Sequence, residues 1–432
     1  MSRKAGMSGS TDMPAPGTRE GTVTRLRILI ATVATVTAAA ATSTACTSGQ
    51  GADQTVGAPT PAVDKTPVSL SLTPQRGSTG VPASAEIGTT VDGGSVQSVR
   101  LVDAHGHQVS GSMREDGSSW IPDRPLAYKT TYTATVTAVG ARRQQVERST
   151  TFRTMAEPSD RVGTGMYVQD GETYGVGLPI AIELGQKVPK DLRDDVQRRL
   201  FVTSEPAQPG AWHWFSGDRV EYRPATWWQP GTKLTVRMAL GGLPLGHGAY
   251  GDGDRTATAT IAKDRVEMRI TNEPKHMKVY ENGKLARTMP VSLGKPDAPS
   301  SSGHMVIMQK ASHIVFDTRG IPGENYVAPV DNAQRLTWGG EFIHAAPWSV
   351  YQQGHVNVSH GCVNISDADA AWLFAHTHIG DPVTVSGTGT KLAEGNGWTD
   401  WNMNWSDFLA GSALPVPDSV RDAPAYNPYP KS

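Results

Sequence analysis

Residues 340–364 read GEFIHAAPWSVYQQGHVNVSHGCVN. The stretch opens on an apolar run, Phe342-Ile343, that ends in His344, and closes on Ser359-His360-Gly361-Cys362-Val363-Asn364. Short apolar runs bounded by turn residues read as buried strands. Cys362 therefore stands at a strand or loop end. The helix after it spans Asp367 to Ala375, with Ser366 as its candidate N-cap. The chain has two cysteines, Cys46 and Cys362, which excludes a disulfide-stapled scaffold. Each cysteine then needs its own explanation. A thiolate is the nucleophilic form, and a nearby imidazole can generate it. A Cys–His pair from separate segments is the minimum for acyl transfer. Gly361 permits a tight turn whose consecutive N–H groups can converge on one oxygen. The bland alternative is a buried, inert cysteine with two satisfied histidines.

Outward from this stretch, residues 263–388 read as one β-rich unit. Val266 to Ile270 alternates, and Met277–Tyr280 and Leu285–Val291 flank Asn282-Gly283, a favoured hairpin turn. Further strands fall at Met305–Met308, His313–Phe316 and Asp381–Val385. The Gly/Pro-rich run from Asp317 to Val330 has loop composition and leads to an expected helix around Asn332. The whole of 317–341 then reads as a lid over the cysteine. His304 lies beside Ser300-Ser301-Ser302-Gly303, expected at the acceptor edge of the cleft.

Residues 67–156 and 157–262 read as two β-sandwich modules of immunoglobulin-like size. Period-two strands at Val68–Leu72, Val96–Val102 and Tyr132–Val136 support the first. Arg223-Pro224 before Lys233–Arg237 echoes Arg124-Pro125 before Thr131–Thr135, at an offset of about 100 residues. One helix is expected at Lys190–Leu200. Trp212, Trp214, Trp227 and Trp228 read as core or edge packing, with glycan contact as the alternative. Trp398, Trp401, Trp405 and Phe408 recur at helical spacing, so a C-terminal extension, 389–432, is expected to pack a helix onto the unit that holds Cys362.

The chain has 432 residues with 40 Lys plus Arg and 41 Asp plus Glu, a formal net charge of −1. That length suits several domains, and the balance gives no electrostatic footprint for nucleic acid. Arg25 and Arg27 precede a run of about 14 apolar and small residues, Ile28 to Ala41, too short for a good membrane span. Basic flank, apolar core and small residues describe an export signal over 1–45. Ser43-Thr44-Ala45-Cys46 resembles a bacterial lipobox, which implies lipidation of Cys46, although Ser43 stands where Leu is usual. Ordinary cleavage near Ala45 and an uncleaved anchor stay open. Residues 46–66 lack large apolar side chains and read as a flexible tether.

The run Ser359 to Asn364, with His344 eighteen positions before Cys362, resembles the signature of the L,D-transpeptidases. The likeness covers about 266–385. The two immunoglobulin-like modules and Gly397–Trp405 are similar to actinobacterial members. The implied fold class is mainly β: two immunoglobulin-like β-sandwich domains followed by a β-rich catalytic domain with a C-terminal extension. The resemblance further implies Cys362 as nucleophile, His344 as base oriented by the Ala345 carbonyl, and the N–H groups of His360, Gly361 and Cys362 as oxyanion hole. Tyr326, Phe316, Trp348, Asn364, Ser359 and Ala345 would form the substrate pocket. The implied partners are donor and acceptor peptidoglycan stem peptides, carbapenem-type inhibitors and the membrane through the lipid anchor. No cofactor or metal is implied. Two alternatives remain at this stage: a zinc-dependent wall peptidase using His344, His360 and Cys362, and an inactive wall-binding lipoprotein.

Overall fold

The computed structural model describes residues 67–140, 143–319 and 327–428. The export segment, Cys46 and Tyr326 lie outside the described residues. From 69 to 153 two four-stranded sheets share one core. One is Ser69–Thr73, Ile87–Asp92, Ser119–Pro122 and Gly111–Met113; the other is Gln108–Val109, Gly94–Asp103, Thr131–Gly140 and Gln145–Arg153. The alternation of Thr131–Gly140 buries Tyr132, Ala134, Val136 and Ala138 and leaves the residues between them half-exposed. That is period-two patterning of a sheet with one buried face.

A second pair of sheets follows. Thr164–Met166, Ile180–Leu184, Arg219–Pro224 and Gly210–Trp214 form one. Thr173–Tyr174, Asp254–Ile261, Lys233–Ala239 and Leu200–Glu205 form the other. Ile180, Ile182, Val236 and Met238 meet between them, and Trp228 closes the core with its indole N–H donated to the Leu178 carbonyl at 2.8 Å. The helix expected at 190–200 is cut short. A 3-10 turn at Lys190–Leu192 leads into a helix of only Arg193–Gln197, and Leu200 opens a strand. Antiparallel pairing of Leu200–Glu205 with Lys233–Ala239 overrides the local helical preference.

Residues 266–386 contain a five-stranded sheet in the order Lys284–Pro290, His276–Glu281, Val266–Thr271, Pro382–Ser386, Gly303–Val306. Asn282 and Gly283 turn its hairpin with φ of 51° and 80°, both in the left-handed region that the turn demands. A four-stranded sheet runs Gln309–Asp317, Val327–Arg335, Phe342–Ala345, Val363–Ile365. Met268, Val279, Ile343, Val363 and Leu373 pack into a common core. The helix Asp367–His376 starts where Ser366 accepts the Asp369 N–H, and it buries Ala370 and Leu373. Asn332 is not helical. It sits within the strand Val327–Arg335 at φ 53°, between the pairs 311↔333 and 313↔331, which keep one register with Gln309–Asp317. Asparagine tolerates that conformation, so the strand continues through it. The lid expected over 317–341 shrinks accordingly, because 327–335 is a strand paired along its length with Gln309–Asp317 and, at Gln334 and Arg335, with Phe342–Ala345 as well.

The aromatic C-terminal segment also departs from expectation. It is broken into a 3-10 turn, Asp400–Asn402, and a helix, Trp405–Ala410, that Asn404 caps. Trp398 and Trp401 enter the core of the second sandwich, while Trp405 and Phe408 pack on Ala211 and Ala225. The cause is Arg223, fully buried on a second-sandwich strand. Its guanidinium carbon lies 4.4, 4.8 and 4.5 Å from the ring centroids of Trp401, Trp405 and Phe408. It donates to the Pro224 carbonyl at 3.2 Å and to the Met403 carbonyl at 3.3 Å. Burial lowers its pKa to about 10, which still leaves it charged at neutral pH. Backbone bonds tie the same sandwich to the 266–386 unit: Gly175 N–H to Ile379 O at 2.7 Å and Gly177 N–H to Gly380 O at 2.9 Å.

Replacing Arg223 with Met should cost about 2–4 kcal/mol, since it removes three cation–π contacts and strands buried carbonyls. Urea denaturation of the full chain reads this directly, and an unmoved midpoint would refute the clamp.

Candidate active site

The site rests on two short parallel strands. Ile343 pairs with Val363, His344 with Asn364 and Ala345 with Ile365. Side chains alternate faces, so Phe342 and His344 share one face with Cys362 and Asn364. The opposite face carries Ile343, Ala345, Val363 and Ile365, all within 3% exposure. That apolar half fixes the register and thereby aims the polar half into a cavity of about 210 Å³. Cys362, His344, Asn364, Ser359 and His360 line it, with Phe316 and Trp348 as its aromatic walls. Seven of the residues that the sequence nominated thus meet in one place.

His344 is buried. Its Nδ1 lies 2.8 Å from the Ala345 carbonyl oxygen. A carbonyl can only accept, so Nδ1 carries the proton and Nε2 keeps its lone pair. Phe316 meets the imidazole edge-on with centroids 5.4 Å apart, and Trp348 lies 6.0 Å away. Burial pushes the His344 pKa below the ordinary histidine value, and the bond to Ala345 O opposes this only in part. Ala345 enters through its carbonyl; its side chain is in the core.

The Cys362 thiol is half-buried and donates to the Gly340 carbonyl at 3.7 Å. Gly361 before it has φ 120°, which a side chain would strain. Ser359 Oγ–H donates to the Cys362 carbonyl at 2.6 Å, and Ser359 Oγ accepts the Gly361 N–H at 3.2 Å. The Gly361 amide is therefore engaged inside the loop. Asn364 Nδ2 donates to Ser349 Oγ at 3.1 Å, and its buried Oδ1 has no hydrogen-bond donor among the described residues.

Sequence reasoning missed the brace behind the cysteine. Ser300 Oγ–H donates to the Gly361 carbonyl at 2.8 Å and accepts the Gly294 N–H at 2.9 Å. Lys295 N–H donates to Ser359 O at 2.9 Å. Ser301 donates to Glu341 through Oγ–H at 2.7 Å and N–H at 3.1 Å. The polar run 300–302 between apolar strands is the signal for it, whereas His304 beside that run is not part of the brace. That ring is turned away, 3.1 Å from Thr384 Oγ1 and 3.2 Å from Tyr426 OH. His376 stacks on Trp372 with centroids 4.1 Å apart. Among the described residues no three His, Cys, Asp or Glu side chains converge as a metal-binding set, so nothing in the geometry favours the zinc alternative.

Comparison with known proteins gives two family matches. A bacterial Ig domain model covers residues 78–244, and an L,D-transpeptidase catalytic domain model covers 266–385. L,D-transpeptidase 2 of Mycobacterium tuberculosis (strain CDC 1551 / Oshkosh) is 33% identical over 403 residues, 90% of this chain and 97% of that protein. L,D-transpeptidase 5 of Mycobacterium tuberculosis (strain ATCC 25618 / H37Rv) is 32% identical over 358 residues, 81% and 78% of the two chains. A solved L,D-transpeptidase in complex with imipenem aligns with 53% of this chain and 100% of its own, at 31% identity and a TM-score of 0.44.

Ser300→Ala should leave the Gly361 carbonyl and the Gly294 amide without their partner. The expected loss is about 1–3 kcal/mol of unfolding free energy. Chemical denaturation that returned the parent value would remove Ser300 from the brace.

Proposed function

The chain belongs to the L,D-transpeptidase family, and on that premise we propose that Cys362 is the nucleophile and His344 the general base of its acyl transfer. The enzyme is a peptidoglycan L,D-transpeptidase, an acyltransferase that works outside the cytoplasm, where peptidoglycan lies. The observation that carries the residue roles is the His344 tautomer, held by Ala345 O in the cavity that Cys362 also lines.

A buried imidazole resists acquiring a proton, so His344 rests neutral and ready to accept one, with the Cys362 sulfur 3.7 Å from the Gly340 carbonyl oxygen. A stem tetrapeptide places the carbonyl between its third residue, a diaminopimelate, and its terminal D-Ala against the sulfur. Nε2 of His344 takes the thiol proton as the S–C bond forms. Amides of the His360–Cys362 loop receive the oxyanion, each such donor being worth about 3 kcal/mol. The Gly361 N–H joins them by exchanging Ser359 Oγ for substrate oxygen. His344 then gives its proton to the departing D-Ala amine, the C–N bond breaks, and a thioester remains. An amine of a second stem attacks it with His344 as base, giving a 3→3 cross-link; water in its place gives a trimmed tripeptide. Asn364 Oδ1 is an acceptor for a donor-stem N–H. Phe316 and Trp348 hold the stem, and the family resemblance adds Tyr326 to the substrate contacts. The strained carbonyl of a carbapenem offers the same thiol an acylating inhibitor.

The arrangement along the chain belongs to the same proposal. Residues 1–45 direct export, Cys46 carries the lipid anchor, and 46–66 form the tether. Modules 67–156 and 157–262 raise the 263–388 domain toward the wall, with 389–432 as a buttress. The basic flank, short apolar core and small residues before Cys46 support the anchor. Activity on the wall at that position ties the protein to cell-wall biogenesis and cell shape.

Cys362→Ala should abolish D-Ala release from a disaccharide-tetrapeptide and the mass adduct with a carbapenem. His344→Ala should lower both rates by orders of magnitude while the chain stays folded. Mass spectrometry of products and of intact protein reads both, and an adduct on the Cys362→Ala protein would overturn the assignment. The pH profile gives a separate check. Because the native pKa of His344 is depressed, the acid limb of acylation should fall below 6.5, the ordinary histidine value. The same depression means that its stability contribution is full above that value and is lost as pH falls toward the native pKa. An acid limb above 6.5 would contradict a neutral buried base.

A further inference from the structure

Eight large apolar side chains are exposed among the described residues, and five of them lie between 348 and 358: Trp348, Val350, Tyr351, Val356 and Val358. This is the loop that joins His344 to the strand of Asn364. Tyr351 is 93% exposed, an unusual position for a tyrosine with nothing to cover it. Trp348 and Val358 also line the catalytic cavity, so the patch is continuous with the active site.

The loop displays these groups on a firm base. Pro347–Ser349 is a 3-10 turn, and Val350 continues it with φ −58° and ψ −37°. Residues three apart in such a turn lie over one another, which puts Trp348 and Tyr351 on one side. Gln353 is buried and donates to the Ala346 carbonyl at 3.2 Å. Ser292 Oγ–H donates to Val356 O at 2.7 Å, and Gly354 N–H to Val291 O at 2.9 Å. A loop backbone already fixed in place loses little entropy on binding.

The chemistry of the loop selects the occupant. From Ala346 to Ser359 there is no Lys, Arg, Asp or Glu. An acceptor stem carries amines and carboxylates, and such a surface offers them no counter-charge. The cavity of about 210 Å³ is smaller than the ~300–1,000 Å³ that encloses a drug-sized ligand. Most of a peptidoglycan donor must therefore lie at the cavity mouth, and the neutral part joined to its stem is the sugar. We propose that Tyr351 and Trp348 form a platform for the pyranose rings of the glycan strand that bears the donor stem. The C–H faces of the sugar rest on the two rings, and Val356 and Val358 complete the contact. This inference rests on the transpeptidase reading of the site, since it takes the donor to be a peptidoglycan stem.

The test uses the full chain carrying Cys362→Ala, so that ligand is bound and not turned over. Calorimetric titration compares a disaccharide-tetrapeptide with the sugar-free tetrapeptide. The disaccharide-tetrapeptide should bind about five- to tenfold more tightly, the scale of one good aromatic contact. Tyr351→Ala should collapse that ratio toward one, and Tyr351→Phe should preserve it, because the ring and not the hydroxyl does the stacking. A ratio unchanged by Tyr351→Ala, or equal losses with both ligands, would overturn the platform. D-Ala release by the chain with Cys362 intact tests the reaction separately. If release proceeds while the ratio ignores Tyr351, the platform alone falls; if release is absent, the transpeptidase reading falls.

Discussion

Ile343 opposite Val363 is the register on which the site depends. In a parallel pair with one face in the apolar core and one on the cavity, a slip of a single residue exchanges the two sets of side chains. It would carry His344 into the apolar core and turn Ile343 toward the cavity. Ile343, Val363 and Ile365 make that slip costly, for burial of a Val or Ile is worth about 1.5–3 kcal/mol. The geometry of the cavity side chains is therefore held by residues on the opposite face. The hydrogen bond from His344 to Ala345 O is a local consequence of the same strand, and it needs no further residue to orient the ring.

The turn that leads into Cys362 is held from behind with similar economy. A positive φ at Gly361 lets the chain turn sharply, but it also aims a carbonyl inward that water cannot reach. Ser300, 2% exposed, supplies the missing donor from a loop some sixty positions earlier. Ser359 closes the turn from the front by bonding both Gly361 N–H and Cys362 O. Buried polar groups satisfied in this way leave few alternative conformations for the sulfur.

Farther out, the second sandwich, the C-terminal segment and the 266–386 unit share buried surface. Trp401 donates its indole N–H to Gly177 O at 2.7 Å while its ring covers Arg223. Asp381 sits where Gly175 and Ile379 meet. Burial pushes its pKa up to about 8, against the His378 N–H and the charge of Lys310. The aromatic extension thus packs on the second sandwich and does not line the cavity that holds Cys362.

The sequence by itself determined the β class, the two sandwiches before a β-rich unit, the Asn282-Gly283 hairpin and the Ser366 cap, and it nominated Cys362 and His344, which line one cavity. These follow from period-two alternation, turn chemistry and residue type, all of which act within a few positions. Tertiary structure decided that Asn332 continues a strand, that Leu200 leaves a helix for a sheet, that Trp405 and Phe408 face Arg223, and that Ser300 and not His304 serves the site. Each of these is set by a partner tens to hundreds of residues away. Local periodicity carries no trace of which distant carbonyl, cation or strand edge a segment will meet, because that meeting is created only when the chain closes its long loops.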